Sequence, residues 1–332
     1  MEQGSDPMYP AYMSNSVMNG CLSYTAIVLN ILTINALRKT SSLPKTLKTL
    51  LLSLAVSDLG VGLMVQPLFT ALLVEGLQQK RTNWILALCT FSAGLFAISS
   101  FLGVTALSVD RFLAVHLHLR YQELVTHKRV VVGVIILWLF GALIALLSFW
   151  NTIVLLILLT CISSLCVIFC TTVYCKIYFT VRRLASRLQH RPQRGQEVPQ
   201  GNKIAVNADK LRKFALSTFY VFLVFSICYL PHNCMLVARI LIPQQNTSMR
   251  TFDLFSVTLV YLNSTLNPVV YSWKIRHIRL AIMNSLRKLV FYHNWIDSEP
   301  VRFLFRNARS APNIEKKKRK KKLKDKVLSK LT

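Results

Sequence analysis

A single carboxylate, Asp58, stands in Ser53-Leu54-Ala55-Val56-Ser57-Asp58-Leu59, inside an apolar stretch long enough to cross a bilayer. An ionised group in hydrocarbon is costly unless paired or hydrated, so this position demands partners. Asn30, Ser100, Asn263, Ser264 and Asn267 lie in other apolar stretches at compatible depths. A carboxylate with hydroxyl and amide oxygens suits a monovalent cation held between helices. The same groups suit a hydrogen-bond network that ties a helix bundle together, and spacing alone leaves both readings open. A second pair, Asp110-Arg111, closes another apolar stretch. It reads as an interfacial salt bridge, or as a guanidinium fork able to exchange Asp110 for the backbone carbonyls of a partner. His232 and the scattered cysteines form no metal-ligand or nucleophile spacing, which argues against an enzyme.

The elements that must position these groups are seven apolar stretches, at about 19–37, 50–74, 85–109, 130–150, 152–175, 214–239 and 252–273. Each is long enough for about 30 Å of hydrocarbon in helical form. Hydrophobic residues make up 53% of the chain and charged ones 16%, a balance no soluble core accommodates in such long runs. The expected fold is an all-α membrane protein, a bundle of seven transmembrane helices. Pro231 and Pro268 interrupt the sixth and seventh, where a lost backbone bond predicts kinks.

Loop charge orients the bundle. Arg38, Lys39, Lys45 and Lys48 follow the first stretch, Arg111, Arg120, Lys128 and Arg129 the third, and a long basic run from Lys176 to Lys213 the fifth. The alternate loops are nearly neutral, so the amino terminus is expected outside and the carboxyl terminus in the cytosol. The net charge of +27 is thereby assigned to cytosolic loops and to Lys316–Lys322, where anionic inner-leaflet lipids attract it and no nucleic acid is called for. Residues 1–18 lack the pattern of a cleaved signal peptide and read as a short extracellular segment. Asn246-Thr247-Ser248 is a possible glycosylation acceptor between the sixth and seventh stretches; Asn263-Ser264-Thr265 matches the same pattern inside a span, out of reach. The connection near Phe149–Ile153 is so short that the fourth and fifth helices must be neighbours with little extracellular cover.

In this order and spacing, the motifs closely resemble those of rhodopsin-like G-protein-coupled receptors over residues 20–290. Asn30-Ile31-Leu32-Thr33 looks like the helix-one motif and Leu54-Ala55-Val56-Ser57-Asp58 like the helix-two motif. Asp110-Arg111-Phe112 is similar to the helix-three triplet with Phe for the usual Tyr, and Trp138 to the helix-four tryptophan. Phe225 with Cys228-Tyr229-Leu230-Pro231 resembles the helix-six switch with Tyr for Trp, and Asn267-Pro268-Val269-Val270-Tyr271 matches the helix-seven motif. The resemblance implies a plasma-membrane receptor that passes an extracellular ligand signal to heterotrimeric G proteins. Helix six would swing outward, and Arg111, Tyr174 and Tyr271 would meet in the active state. It also implies that Asp58, Ser100, Asn263, Ser264 and Asn267 hold a sodium ion as allosteric modulator, with no further cofactor.

The departures are specific. The disulfide cysteine of helix three would fall at Leu86, Cys89 lies a turn too deep, and the short second extracellular loop carries none, so that disulfide is expected to be missing. Cys21 has no assignable partner. Cys166 replaces the helix-five proline, and Leu211 replaces the helix-six acid that would hold Arg111, which predicts high basal signalling. Ala93 excludes the amine-binding acid, and no lysine stands near Thr258 for retinal. The short loop and Leu119-Arg120-Tyr121 resemble melanocortin receptors, and Tyr271–Arg279 adenosine receptors. Yet Leu68, Leu86 and Thr90 replace the melanocortin acids, and Leu236 the adenosine-binding asparagine, so the ligand class stays open. Glu75 and Asp253 near the mouth are the candidate acids for a basic ligand group, and an open mouth favours a peptide or lipid.

After the receptor domain of 19–273, residues 274–290 carry Ile275, Ile278, Ile282, Leu286 and Leu289 at helical spacing, a pattern for an amphipathic helix on the inner leaflet. No cysteine follows Cys234, so this helix has no palmitoyl anchor; residues 291–332 form a basic cytoplasmic tail. The competing functions are a secondary transporter, which would show paired repeats with interrupted helices, and a receptor-like membrane protein that does not signal. No repeat is visible.

Overall fold

The computed structural model describes residues 7–41, 43–80, 82–117, 120–189, 199–242, 244, 246–274, 278–284 and 287, with backbone alone at 181, 184–189, 199–217 and 240. These residues are helical or irregular. The long helices are α1 (Tyr9–Lys39), α2 (Lys45–Gly60) continued through a π-helical turn (Val61–Val65) into α3 (Gln66–Leu77), and α4 (Asn83–Leu117). After the short α5 (Tyr121–Leu124) come α6 (His127–Ala145), extended by a 3-10 turn (Leu146–Phe149), then α7 (Thr152–Gln189), α8 (Pro199–Leu241) and α9 (Thr247–Lys274).

Six of these helical spans are long and apolar enough to cross a membrane. The exception is α9, 28 residues long, whose inward positions carry Asp253, Ser256, Thr258, Asn263, Ser264 and Asn267. Polarity is inverted relative to a soluble domain. Asn15, Asn19, Asn30, Asp58, Gln66 and Asn267 are buried, while Val132, Ile135, Ile136, Leu139, Phe140 and Leu143 stand exposed along one side of α6. Apolar surface on this scale needs an apolar surrounding, and the chain is a multi-pass membrane protein.

The helices extend beyond the expected apolar cores. The largest difference is at the amino terminus, where α1 begins at Tyr9, with Pro10 in its first turn, inside the segment read as a short extracellular stretch. The cause is a polar contact that hydropathy cannot register: Asn19 Nδ2 donates to Thr258 Oγ1 at 2.9 Å, and Thr258 Oγ1 donates to Asn15 Oδ1 at 2.6 Å. Side chains cap the starts of α6, α7 and α9. Thr126 Oγ1 accepts from Arg129 N, Asn151 Oδ1 from Ile153 N at 3.0 Å, and Asn246 Oδ1 from Met249 N at 2.9 Å. Both α8 and α9 remain helical through Pro231 and Pro268.

α4 is the central strut, packed on α2, α3, α6, α7 and α8, and α9 closes the ring between α8 and α1. Gly60 permits the tightest approach in this core, because a Cβ there would stand 2.2 Å from the Phe96 ring of α4. Trp138 of α6 braces the same place: Nε1 donates to Ser53 Oγ at 2.9 Å and its ring meets Phe96 edge-on at 6.1 Å.

Contacts divide the chain into Met1–Arg279 and Leu280–Thr332; of the second unit, 280–284 are described and helical, together with residue 287. Within the segment expected to be amphipathic, Ile278 is buried and Ile282 half-buried, whereas Ile275, Leu286 and Leu289 lie outside the described residues. So does the basic tail.

Candidate functional site

The polar groups read from the sequence fall into one buried layer. Asp58 is 1% exposed. Asn267 Nδ2 donates to its Oδ2 at 2.9 Å, and the Ser264 hydroxyl bonds the same side chain. Ser57, the residue before Asp58, shares a hydrogen bond of 3.0 Å with Ser100 between α2 and α4. Asn30 Nδ2 donates to the Ser264 carbonyl at 2.9 Å, drawing α1 into the layer. Several oxygens here are buried without a protein partner among the described residues: Asn30 Oδ1, Asn263 Oδ1, Asn267 Oδ1 and the Tyr271 hydroxyl. A buried carboxylate near unsatisfied amide oxygens is the donor set a hard monovalent cation or ordered water uses. Ser57 is a member that the residue types alone did not single out.

At the end of α4 nearer the basic loops, Asp110 and Arg111 are both buried and form an ion pair within one helix, Arg111 donating through Nε at 3.0 Å and through a second nitrogen. Sequence reading missed the third member. Tyr121, on α5, donates its hydroxyl to Asp110 Oδ1 at 2.5 Å and shares a contact of 3.2 Å with the Thr46 hydroxyl of α2. Burial and the adjoining Asp110 carboxylate push the Tyr121 phenol up to about 12, so it stays a donor at neutral pH. Phe112 stacks on His116. The Tyr174 hydroxyl accepts from Ser108 at 3.2 Å. Among the described residues no hydrogen bond joins Arg111, Tyr174 and Tyr271. Leu211 has no described side chain.

Two clusters of rings lie between this end and the middle of the bundle. Along α8, Phe219, Phe222, Phe225 and Tyr229 recur at helical spacing. Phe225 stacks on Tyr229 at 4.3 Å, and both pack on Phe101 of α4, at 5.0 and 4.6 Å. Phe222 and Phe219 pack on Tyr174 of α7, each at 5.3 Å. The period of Phe219 and Phe222 was present in the sequence but looks like any core stripe.

Tyr229 and Phe101 also line a cavity of about 300 Å³ between α3, α4, α7, α8 and α9. Its lining includes Leu86, Thr90, Ala93, Leu236, Arg239 and Asp253. The two acids expected to receive a basic ligand group are differently placed. Asp253 is buried in the lining with its carboxylate bound to Arg239, and so is not free. Glu75 does not line the cavity; its Oε2 accepts from Thr82 N at 3.1 Å and braces the α3–α4 turn. All eight cysteines carry free thiols, Cys21 and Cys89 among them.

The description "7 transmembrane receptor (rhodopsin family)" fits residues 29–152 and 147–271, most of the chain. The adenosine receptor A3 of Ovis aries is 26% identical over 289 residues, covering 80% of this chain and 87% of that protein. The adenosine receptor A2a of Homo sapiens is 22% identical, over 87% of this chain and 74% of that protein. The melatonin receptor type 1B of Mus musculus is 26% identical, over 79% and 74%. The likeness to melanocortin receptors has no counterpart among these, whereas the likeness to adenosine receptors extends over most of the chain. Arranged around a buried polar layer, an ion pair at one end and a cavity at the other, this chain belongs to the rhodopsin family of seven-transmembrane receptors and is a non-enzymatic receptor that signals through G proteins.

Proposed function

We propose that the receptor sits in the plasma membrane with its amino terminus outside, binds its ligand in the cavity lined by Tyr229 and Phe101, and engages the G protein at Arg111. The observation that carries this reading is the succession of two ring clusters along α8: Tyr229, Phe225 and Phe101 at that cavity, then Phe222, Phe219 and Tyr174 nearer the end that holds Arg111. A ligand that fits the cavity better in one helix arrangement shifts the population toward it, by no more than its differential affinity. The arrangement described is the resting one. Arg111 is occupied by Asp110, and outward movement of α8 with Pro231 as its pivot would free the guanidinium for a G-protein helix and for Tyr174 and Tyr271.

A sodium ion in the Asp58 layer would stabilise this resting state. The residues fit the ion, since Asn263 and Asn267 present buried, unpartnered oxygens and Ser264 already bonds the carboxylate. Asp58, Ser100, Asn263, Ser264 and Asn267 would share the site with Ser57. On the inner face, the basic loops, the segment 274–290 and the tail would lie against anionic lipid. At Asn246 the amide oxygen caps α9 and the side chain is exposed, which leaves its nitrogen as a glycosylation acceptor. The relatives named for adenosine raise a nucleoside as ligand, but Leu236 puts an apolar side chain in the cavity where that reading needs an amide.

The test is guanine-nucleotide exchange on each class of purified heterotrimer by receptor in lipid nanodiscs, with an amino-terminal epitope probed on intact cells. Faster exchange on at least one class and an accessible epitope are expected. Exchange on no class, even across peptides, nucleosides, amines and lipids, would overturn the reading.

A further inference from the structure

The walls of the cavity differ in chemistry. The α2–α4 and α7 sides are carbon-rich, with Val65, Phe69, Ala93, Leu155 and Leu159, whereas the charged groups, Arg239 and Asp253, meet on the α8–α9 side. That ion pair is asymmetric. The Asp253 side chain is 7% exposed and the Arg239 side chain 39%. Asp253 Oδ1 is buried without a partner, so the whole carboxylate is sunk below the cavity surface. Arg239, by contrast, has Asp253 as its sole ion-pair and hydrogen-bond partner among the described residues. A guanidinium has five N–H donors in a planar fork, so most of them remain for a ligand.

The other polar groups of this wall are partly committed. Asn233 Oδ1 accepts from Ser163 at 3.0 Å. Ser256 gives its proton to the Asp253 carbonyl at 2.7 Å, so in its 3.2 Å contact with His232 Nδ1 the histidine must donate. In the neutral imidazole that leaves a lone pair at His232 Nε2, which repels a carboxylate. His232 precedes Arg239 by seven residues, about 10 Å of helix at 1.5 Å per residue. An anionic group is therefore drawn to the outer, Arg239 end and kept from the middle. Below the histidine the floor is Tyr229 and Phe101.

Resting on the reading that this cavity receives the ligand, we infer that the ligand is an apolar monocarboxylic acid, its carboxylate on Arg239 and its carbon body directed toward Tyr229 and Phe101. This reverses the polarity expected from the sequence, where Asp253 was the candidate receiver of a basic group.

The test uses full-length receptor in nanodiscs with radiolabelled decanoate as the probe, and with methyl decanoate and decylamine as competitors. Saturable decanoate binding is expected, with neither competitor displacing it. Arg239→Gln should weaken binding at least tenfold, whereas Arg239→Lys, which keeps the charge, should hold it within a few-fold. Asp253→Asn should strengthen it several-fold, because the sunk acid no longer competes for the guanidinium. Equal saturable binding in Arg239→Gln, displacement by decylamine as good as by unlabelled decanoate, or no saturable binding would overturn the inference. Basal nucleotide exchange in the same discs separates the two levels. If exchange persists while decanoate fails, only the ligand class falls; if exchange is absent as well, the receptor reading falls and takes the inference with it.

Discussion

Lys274 of α9 holds its ammonium 3.7 Å from the centre of the Tyr220 ring of α8, and 3.5 Å from that of Trp273. Tyr220 and Trp273 themselves meet at 5.7 Å. The sixth and seventh spans are therefore tied together where α9 ends, although position 211 carries a leucine in place of the acid that the family resemblance leads one to expect there.

This clamp should restrain basal signalling. A cation over an aromatic face at a partly exposed site contributes about 0.5–1 kcal/mol. Lys274→Gln is then expected to raise ligand-free nucleotide exchange roughly two- to fivefold, from the same energy range. Lys274→Arg, measured at equal receptor density, should stay near the parent. An unchanged rate in Lys274→Gln would show that the contact restrains nothing.

Tyr121 is expected to act in the same direction at the other restraint. Its hydroxyl donates to the Asp110 carboxylate that holds Arg111. Hydrogen bonds to charged groups contribute about 1.5–3 kcal/mol, so Tyr121→Phe should raise basal exchange by about tenfold or more. Thr46→Val should have a smaller effect, because it removes only the 3.2 Å contact on the far side of the phenol. The pH dependence has a definite sign. The folded-state phenol is raised to about 12 from an ordinary value near 10, so this contribution is complete below the ordinary value and is lost as pH rises toward 12. Basal exchange should therefore be flat with respect to this group between pH 6 and 8, and a titration of the Tyr121-dependent difference inside that window would contradict the assignment.

For the Asp58 layer, replacing an inert organic cation with sodium at constant ionic strength should lower basal exchange of the parent receptor. In Asp58→Asn the response should flatten, because the carboxylate supplies the compensating charge. Equal sodium dependence in both would leave the layer as a hydrogen-bond network.

Trp138 tests packing rather than signalling. Trp138→Phe loses the bond to Ser53, and Ser53→Ala loses the same bond from the other side. Each should lower thermal stability by about 1 kcal/mol for the bond, with a further loss for the smaller ring in the first. The double variant should fall short of the sum, as neighbours sharing one contact do. Full additivity would mean that the two side chains act independently.

Much of this fold could be read from hydropathy, because lipid-facing helices such as α6 carry their apolar residues almost without interruption. The buried polar layer and the ion pair were also legible, since Asp58, Asp110, Arg111 and Asn267 are residue types that hydrocarbon tolerates only for a reason. What escaped was everything decided by partners on distant helices. Asn15 lay in the segment read as extracellular and Asn19 at the edge of the first apolar stretch, yet both bury against Thr258 and lengthen α1 toward its amino terminus. The π-helical turn at Val61–Val65 carries no residue signature. Asp253 looked like a free acid because nothing in the spacing of α8 and α9 brings Arg239 to it. Tyr121 stood out only as part of the Leu119-Arg120-Tyr121 likeness for the same reason, since nothing in a helix of four residues ties it to Asp110.

Arg111 decides whether signalling runs through the inner ion pair. Nucleotide exchange on the most responsive heterotrimer should be measured for parent and Arg111→Ala receptor, at matched density and with orientation verified in the same vesicles. Loss of nearly all receptor-stimulated exchange in the variant, with thermal stability close to the parent, is the expected result. Exchange that is unchanged in Arg111→Ala would reduce the pair to a structural salt bridge and contradict the mechanism.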